Sequence, residues 1–142
     1  MAMTARIKWV EDRTFVAQSG TGHAVTVGTT KGIDGKNLSP SPMELVLMGT
    51  GACGAFDVVH ILERAREPIE DCVVELEAER ADEDPKVFTH LQIHFVVTGS
   101  GLSTEKVERA VKLSAEKYCS ASAMVAKTAI ITHDFVVIDS RS

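Results

Sequence analysis

The chain has 142 residues, 44% of them hydrophobic and 25% charged, which is the profile of one soluble globular domain able to bury a substantial core. Disorder, collagen-like repetition and a coiled coil do not fit that balance. Fifteen basic against 20 acidic residues leave a net charge of −5. With no local basic patch, neither nucleic acid nor a membrane surface is expected as a partner. The longest apolar stretch, 45–62, is interrupted by Asp57, His60 and three glycines, and the first residues form no basic-then-apolar leader, so the expected location is the cytoplasm.

Alternating and β-branched residues predict three short strands near 6–10, 14–17 and 23–27, arranged as a meander. A polar loop with Gly32, Gly35 and Pro40 follows over 29–41 and is read as lying inside a single domain, 1–142. Ser41-Pro42-Met43-Glu44 then announces a helix: serine as cap, proline at the first helical position, and glutamate three residues on to close a capping box. The helix is expected to reach about Arg66, ahead of Pro68. Apolar residues lie on nearly all its sides, so burial all round is expected. Gly49, Gly51 and Gly54 each cost about 1 kcal/mol against alanine in a helix. Together they call for a closely packed neighbouring backbone, for which a second subunit is the candidate.

Residues 71–80 and 87–98 read as two long strands joined by the acidic turn 81–86. Cys72, Val74, Leu76 and Ala78 share one face of the first, and Leu91, Ile93, Phe95 and Val97 one face of the second. A second helix starts at the cap Ser103, carries Val107, Ala110, Val111, Ser114, Ala115 and Tyr118 on one stripe, and reaches Cys119. A short helical piece through Met124 and Val125 leads to a last strand, 130–138. The order βββ-α-ββ-α-α-β is not a βαβ series, and the expected class is α+β.

Three cysteines, Cys53, Cys72 and Cys119, are too few for a disulfide scaffold and rest as thiols in a reducing compartment. No CxxC pair or sequence-local Cys/His cluster is present, so no metal and no cofactor are expected. Cys72 falls in an inward alternation and reads as core. Cys53 lies in Gly49-Thr50-Gly51-Ala52-Cys53-Gly54, where small neighbours leave the sulfur approachable. Cys119 sits at a helix junction. Two such thiols meeting across a core suffice for reversible redox chemistry, one forming a sulfenic acid and the other condensing with it. Glu44 has two readings, an acid that orients a cation near the thiol or the capping-box acid. It precedes Cys53 by about 13 Å along a helix. Asp57 and His60 read as a structural pair at a subunit interface, since a carboxylate beside a thiol opposes thiolate formation. His90 and His94 stand about 13 Å apart on a strand, too far for one metal; His23 and His133 read as surface or edge residues.

Ser41-Pro42-Met43-Glu44-Leu45, Gly49-Thr50-Gly51-Ala52-Cys53 and, 66 residues after Cys53, Glu116-Lys117-Tyr118-Cys119 resemble the OsmC/Ohr family of thiol-dependent peroxidases. Ser-Pro-Met-Glu and Asp57-Val58-Val59 are most similar to its YhfA-like branch. The resemblance implies an intertwined homodimer with long helices packed between sheets. It also implies Cys53 as peroxidatic and Cys119 as resolving residue, reduction of organic or lipid hydroperoxides without metal or flavin, a role in oxidative stress, and re-reduction by an external dithiol. The family's catalytic glutamate falls on Met43 here, with Glu44 next to it, about 100° around the helix. Lys31, Lys36, Arg6 and Arg13 are the nearest candidates for its thiol-activating cation. The alternative is a non-catalytic dimeric module that binds a hydrophobic small molecule at the subunit interface, walled by Met43, Met48, Phe56 and Met124.

Overall fold

The computed structural model describes residues 2–141. The elements run β1 (Ala5–Glu11), β2 (Thr14–Ser19), β3 (Ala24–Gly28), α1 (Pro42–Arg64), β4 (Ile69–Arg80), β5 (Phe88–Gly99), α2 (Thr104–Leu113), a π-helical turn (Ser114–Tyr118), α3 (Ser120–Val125) and β6 (Ile130–Asp139). This is the α+β order expected from the sequence. The chain divides into two compact units, Met1–Val46 and Leu47–Ser142.

In the first unit β1, β2 and β3 form the predicted antiparallel meander, with Trp9 opposite Phe15 and Phe15 opposite Val27. Gly28 is required at the end of β3. Its φ is +153° and an added Cβ would lie 1.8 Å from the Arg13 carbonyl oxygen, a position only glycine tolerates. The loop 29–41 is tied back to the sheet, since Gly28 N–H donates to the Pro40 carbonyl and Thr14 Oγ1 to Thr30 Oγ1. At its end the capping box forms as predicted. Glu44 N–H donates to Ser41 Oγ at 3.2 Å and Ser41 N–H to Glu44 Oε1 at 3.0 Å, supplying partners for N–H groups that a helix start leaves open.

In the second unit a three-stranded sheet has the order β4-β5-β6, with β4 and β5 antiparallel and β5 and β6 parallel. The parallel pair requires a crossover, which α2, the π turn and α3 provide. One face of the sheet carries the core: Leu91, Ile93, Phe95 and Val97 of β5 pack with Val58 and Leu62 of α1 and Val107, Ala110 and Val111 of α2. The period-two pattern of β5 meets the helical stripes, so every predicted inward residue of β5 is buried. By length and hydropathy α1 could cross a membrane, but its Val58 and Leu62 are fully buried in this core, which identifies a core helix.

The helix stops by backbone geometry before Pro68 is reached. Arg66 adopts φ +59°, Arg66 N–H donates to the Glu63 carbonyl and Glu67 N–H to the Leu62 carbonyl. This is a Schellman motif with arginine where glycine is usual.

On three points the single chain differs from expectation. α1 is not covered all round within the chain. Thr50, Gly51, Gly54, Val58 and Leu62 are buried, whereas Val46, Met48 and Phe56 are exposed, Phe56 to 71%. Within the chain, the neighbours of two of its glycines are side chains rather than a backbone. A Cβ at Gly51 would meet Leu76 Cδ1 at 2.6 Å and one at Gly54 would meet Phe95 Cζ at 3.4 Å, while nothing lies within 4 Å of Gly49. The neighbours are side chains of the same chain. Finally, the second helix does not run evenly to Cys119. It loosens to a π turn in which Cys119 N–H reaches back to the Ser114 carbonyl, and this rotates Tyr118 out of the buried stripe to an exposed position.

Candidate active site

The site is assembled by the close packing of α1 on the π turn. At Gly54 the helix lies next to the Phe95 ring and Ser114, whose Oγ would lie 3.9 Å from a Cβ at that position, an ordinary contact distance. One turn on, Asp57 Oδ2 accepts a hydrogen bond from Ser114 Oγ at 2.9 Å. The serine is 2% exposed, so its hydroxyl needs such a partner. Cys53 precedes Asp57 by four residues and shares its face of the helix. Cys119 closes the π turn and caps α3, its sulfur accepting from Ser122 N–H at 3.4 Å.

The two sulfurs and an Asp57 carboxylate oxygen all lie within 4.8 Å of one another. All three cysteines are free thiols. Thiols 66 residues apart in sequence are therefore a short approach from the bond length of about 2.05 Å in a disulfide. Their environments differ. Cys53 is half-buried and Cys119 is buried. Burial pushes the Cys119 thiol above its ordinary pKa, the nearby Cys53 adds to this, and the hydrogen bonds from Ser122 oppose it. Burial also raises the Cys72 thiol, helped by the charge of Asp71. Cys72 packs against the core from β4, in the structural role expected of it.

Asp57 is the residue that sequence reading misplaced. It pairs with Ser114 and faces both thiols, and His60 instead stacks on Phe56 with ring centroids 6.0 Å apart. A signal was available: Ser114 is the one aliphatic hydroxyl in an apolar stripe and Asp57 the one carboxylate in an apolar helix segment, and polar groups removed from water seek each other. His133 has the edge position expected of it. On the edge strand β6 it faces the core side and stacks on Phe95 with centroids 6.4 Å apart, and burial lowers its pKa. His90 and His94 instead pair separately, with Glu79 at 3.4 Å and Asp134 at 2.7 Å.

An open cleft of about 600 Å³ lies beside Asp57, lined by His60, Arg64, Arg109, Leu113 and Tyr118 among others. Neither guanidinium forms a hydrogen bond or ion pair among the described residues. Two of the four basic candidates of the first unit are engaged locally: Lys31 Nζ donates to Asn37 and Arg13 Nη1 to the Asp12 carbonyl. Glu44 serves the capping box described above. Of the residues named for a hydrophobic wall, Met48, Phe56 and Met124 are exposed and Met43 is half-buried.

Residues 34–134 match the OsmC-like protein family. Protein YhfA of Escherichia coli strain K12 is 48% identical over 136 residues, covering 96% of this chain and 98% of the relative. A hypothetical protein from Aquifex aeolicus, solved by crystallography, is 30% identical over 99% of each chain with a TM-score of 0.86. The organic hydroperoxide resistance protein OhrB of Bacillus subtilis shares the fold at 16% identity, with a TM-score of 0.64 over 96% of this chain and 98% of that one. On the family match and the near full-length identity to YhfA, this chain belongs to the OsmC-like protein family.

Proposed function

We propose that the protein is a cysteine-based peroxidase that reduces organic hydroperoxides. The observation that carries this reading is the meeting of the Cys53 and Cys119 sulfurs within 4.8 Å. Shared fold supports it, since similar structures are titled organic hydroperoxide resistance proteins, from Legionella pneumophila and Bacillus subtilis.

The accessible and the buried thiol take different roles. Cys53, half-buried, attacks as thiolate the peroxide oxygen remote from the organic group. The O–O bond breaks, the alkoxide leaves and is protonated to the alcohol, and Cys53 becomes a sulfenic acid. Cys119 is buried, so the peroxide meets Cys53 first and Cys119 takes the second step. Its sulfur displaces the sulfenic oxygen as water and a Cys53–Cys119 disulfide forms. An external dithiol then restores both thiols by exchange. The cleft with Arg64 and Arg109 beside Asp57 is the entrance we assign to the peroxide.

The working unit in this proposal is a homodimer. The exposed Met48 and Phe56 of α1 form an apolar face that a second copy would cover, and such faces mark association surfaces. The test is thiol counting by mass spectrometry after treatment with an organic hydroperoxide. One intramolecular disulfide and one free thiol per chain are expected, with Cys53→Ser abolishing turnover and Cys119→Ser arresting at the sulfenic acid. Retention of three free thiols would sink the proposal.

A further inference from the structure

We propose that Cys53, Asp57 and Cys119 form a binding site for a thiophilic divalent cation of the Zn²⁺ class, and that the bound cation holds the thiol pair closed to oxidation. The first part stands on geometry alone; the second rests on the peroxidase reading. Asp57 is what prompts it. The disulfide cycle proposed above uses the two sulfurs and gives this carboxylate no step. A cation uses all three.

The donor set and its spacing fit. Two soft sulfurs with one carboxylate oxygen favour zinc over the hard cations Mg²⁺ and Ca²⁺. With Zn–S at about 2.3 Å and Zn–O at about 2.1 Å, tetrahedral ligands stand about 3.6–3.8 Å apart. The three donor atoms already lie within 4.8 Å of one another, so a contraction of about 1 Å or less closes the site. Cys53 and Asp57, four residues apart on one face of α1, present two ligands from a rigid element, and Cys119 supplies the third from the junction after the π turn.

The surroundings orient these ligands as outer partners do in metal centres. Ser114 Oγ holds Asp57 Oδ2 at 2.9 Å and Ser122 N–H holds the Cys119 sulfur at 3.4 Å. Cys53 and Asp57 are only half-buried, which leaves access and a fourth position for water. On binding, the cation takes the place of the two thiol protons, which pass to solvent. Oxidation to the disulfide removes both sulfur ligands and so abolishes the site.

The experiment titrates the full-length, fully reduced protein with Zn²⁺ in the absence of oxygen, against a chromogenic chelator. One cation per chain is expected. Affinity should fall at least 100-fold in Cys53→Ser and Cys119→Ser, 10- to 100-fold in Asp57→Asn, and about 10-fold in Ser114→Ala, and remain unchanged in Cys72→Ser. A measurement on the unmodified chain guards against misfolded variants: Zn²⁺ should slow alkylation of Cys53 and Cys119, read residue by residue, and leave Cys72 untouched. No stoichiometric binding, full affinity in Asp57→Asn, or equal protection of Cys72 overturns the site. Added Zn²⁺ should also slow disulfide formation by hydroperoxide at least tenfold. Zinc binding in a protein that never forms the disulfide overturns the peroxidase reading and keeps the site; a disulfide formed in a protein that binds no zinc does the reverse.

Discussion

The two sheets are built by the same alternation of residues and end in opposite circumstances. In β1–β3 apolar side chains remain uncovered, Ile7 at 60% and Trp9 at 58% exposure. In β5 the four inward residues are at most 2% exposed because α1 and α2 lie over them. Alternation therefore states which side chains share a face, and only the presence of a covering helix decides whether that face becomes a core. The second unit carries its own core and both site thiols, whereas the first leaves apolar surface exposed.

The largest effect expected from this contrast is in the second sheet. Phe95→Ala removes a fully buried ring at the centre of the core and should cost about 3–5 kcal/mol in denaturant unfolding. Ser41→Ala tests the start of α1. Losing the serine half of the capping box should cost about 1 kcal/mol, and no measurable loss would show that the cap is dispensable. Ile7→Ser, by contrast, should change the stability of the isolated chain by about 0.5 kcal/mol or less while weakening self-association in sedimentation experiments. A cost above about 2 kcal/mol with unchanged association would break the comparison, because it would mean that the first sheet is already covered.

The smallest expected effect is a pH dependence of the second unit. Burial depresses the pKa of His133 in the folded chain relative to its ordinary value of 6.5. Below that value the unfolded chain binds the proton more readily, so stability should fall as pH drops through 6.5 toward the lower folded value, and rise again on the way back. Replacing His133 by Gln should flatten that slope. A slope that persists unchanged would assign it to other groups.

Most elements were legible because their causes are local. The capping box at Ser41 and Glu44, the alternation in β4 and β5, and the stripe of Val107, Ala110 and Val111 each lie within a dozen residues, and each forms as expected. The even run of the second helix to Cys119 failed because nothing local distinguishes an α turn from a π turn. What stretches it is the backbone bond from Cys119 to Ser114, formed where Ser114 also meets Asp57. The burial of α1 on all sides is incomplete within one chain for a related reason. Hydrophobicity says that a face avoids water, but Phe56 finds no cover in its own chain, and composition is silent on who supplies it.

By itself, then, the order of amino acids determined the elements, their faces and the family, since propensity, capping and alternation act over one or two turns. It also offered two thiols without saying whether they meet. Their approach, and the addition of Asp57 beside them, were decided by the tertiary structure: α1 packs beside Ser114 of the π turn, and the serine hydroxyl aims the carboxylate. Distances between groups 66 residues apart come from packing, and packing is a property of the whole chain.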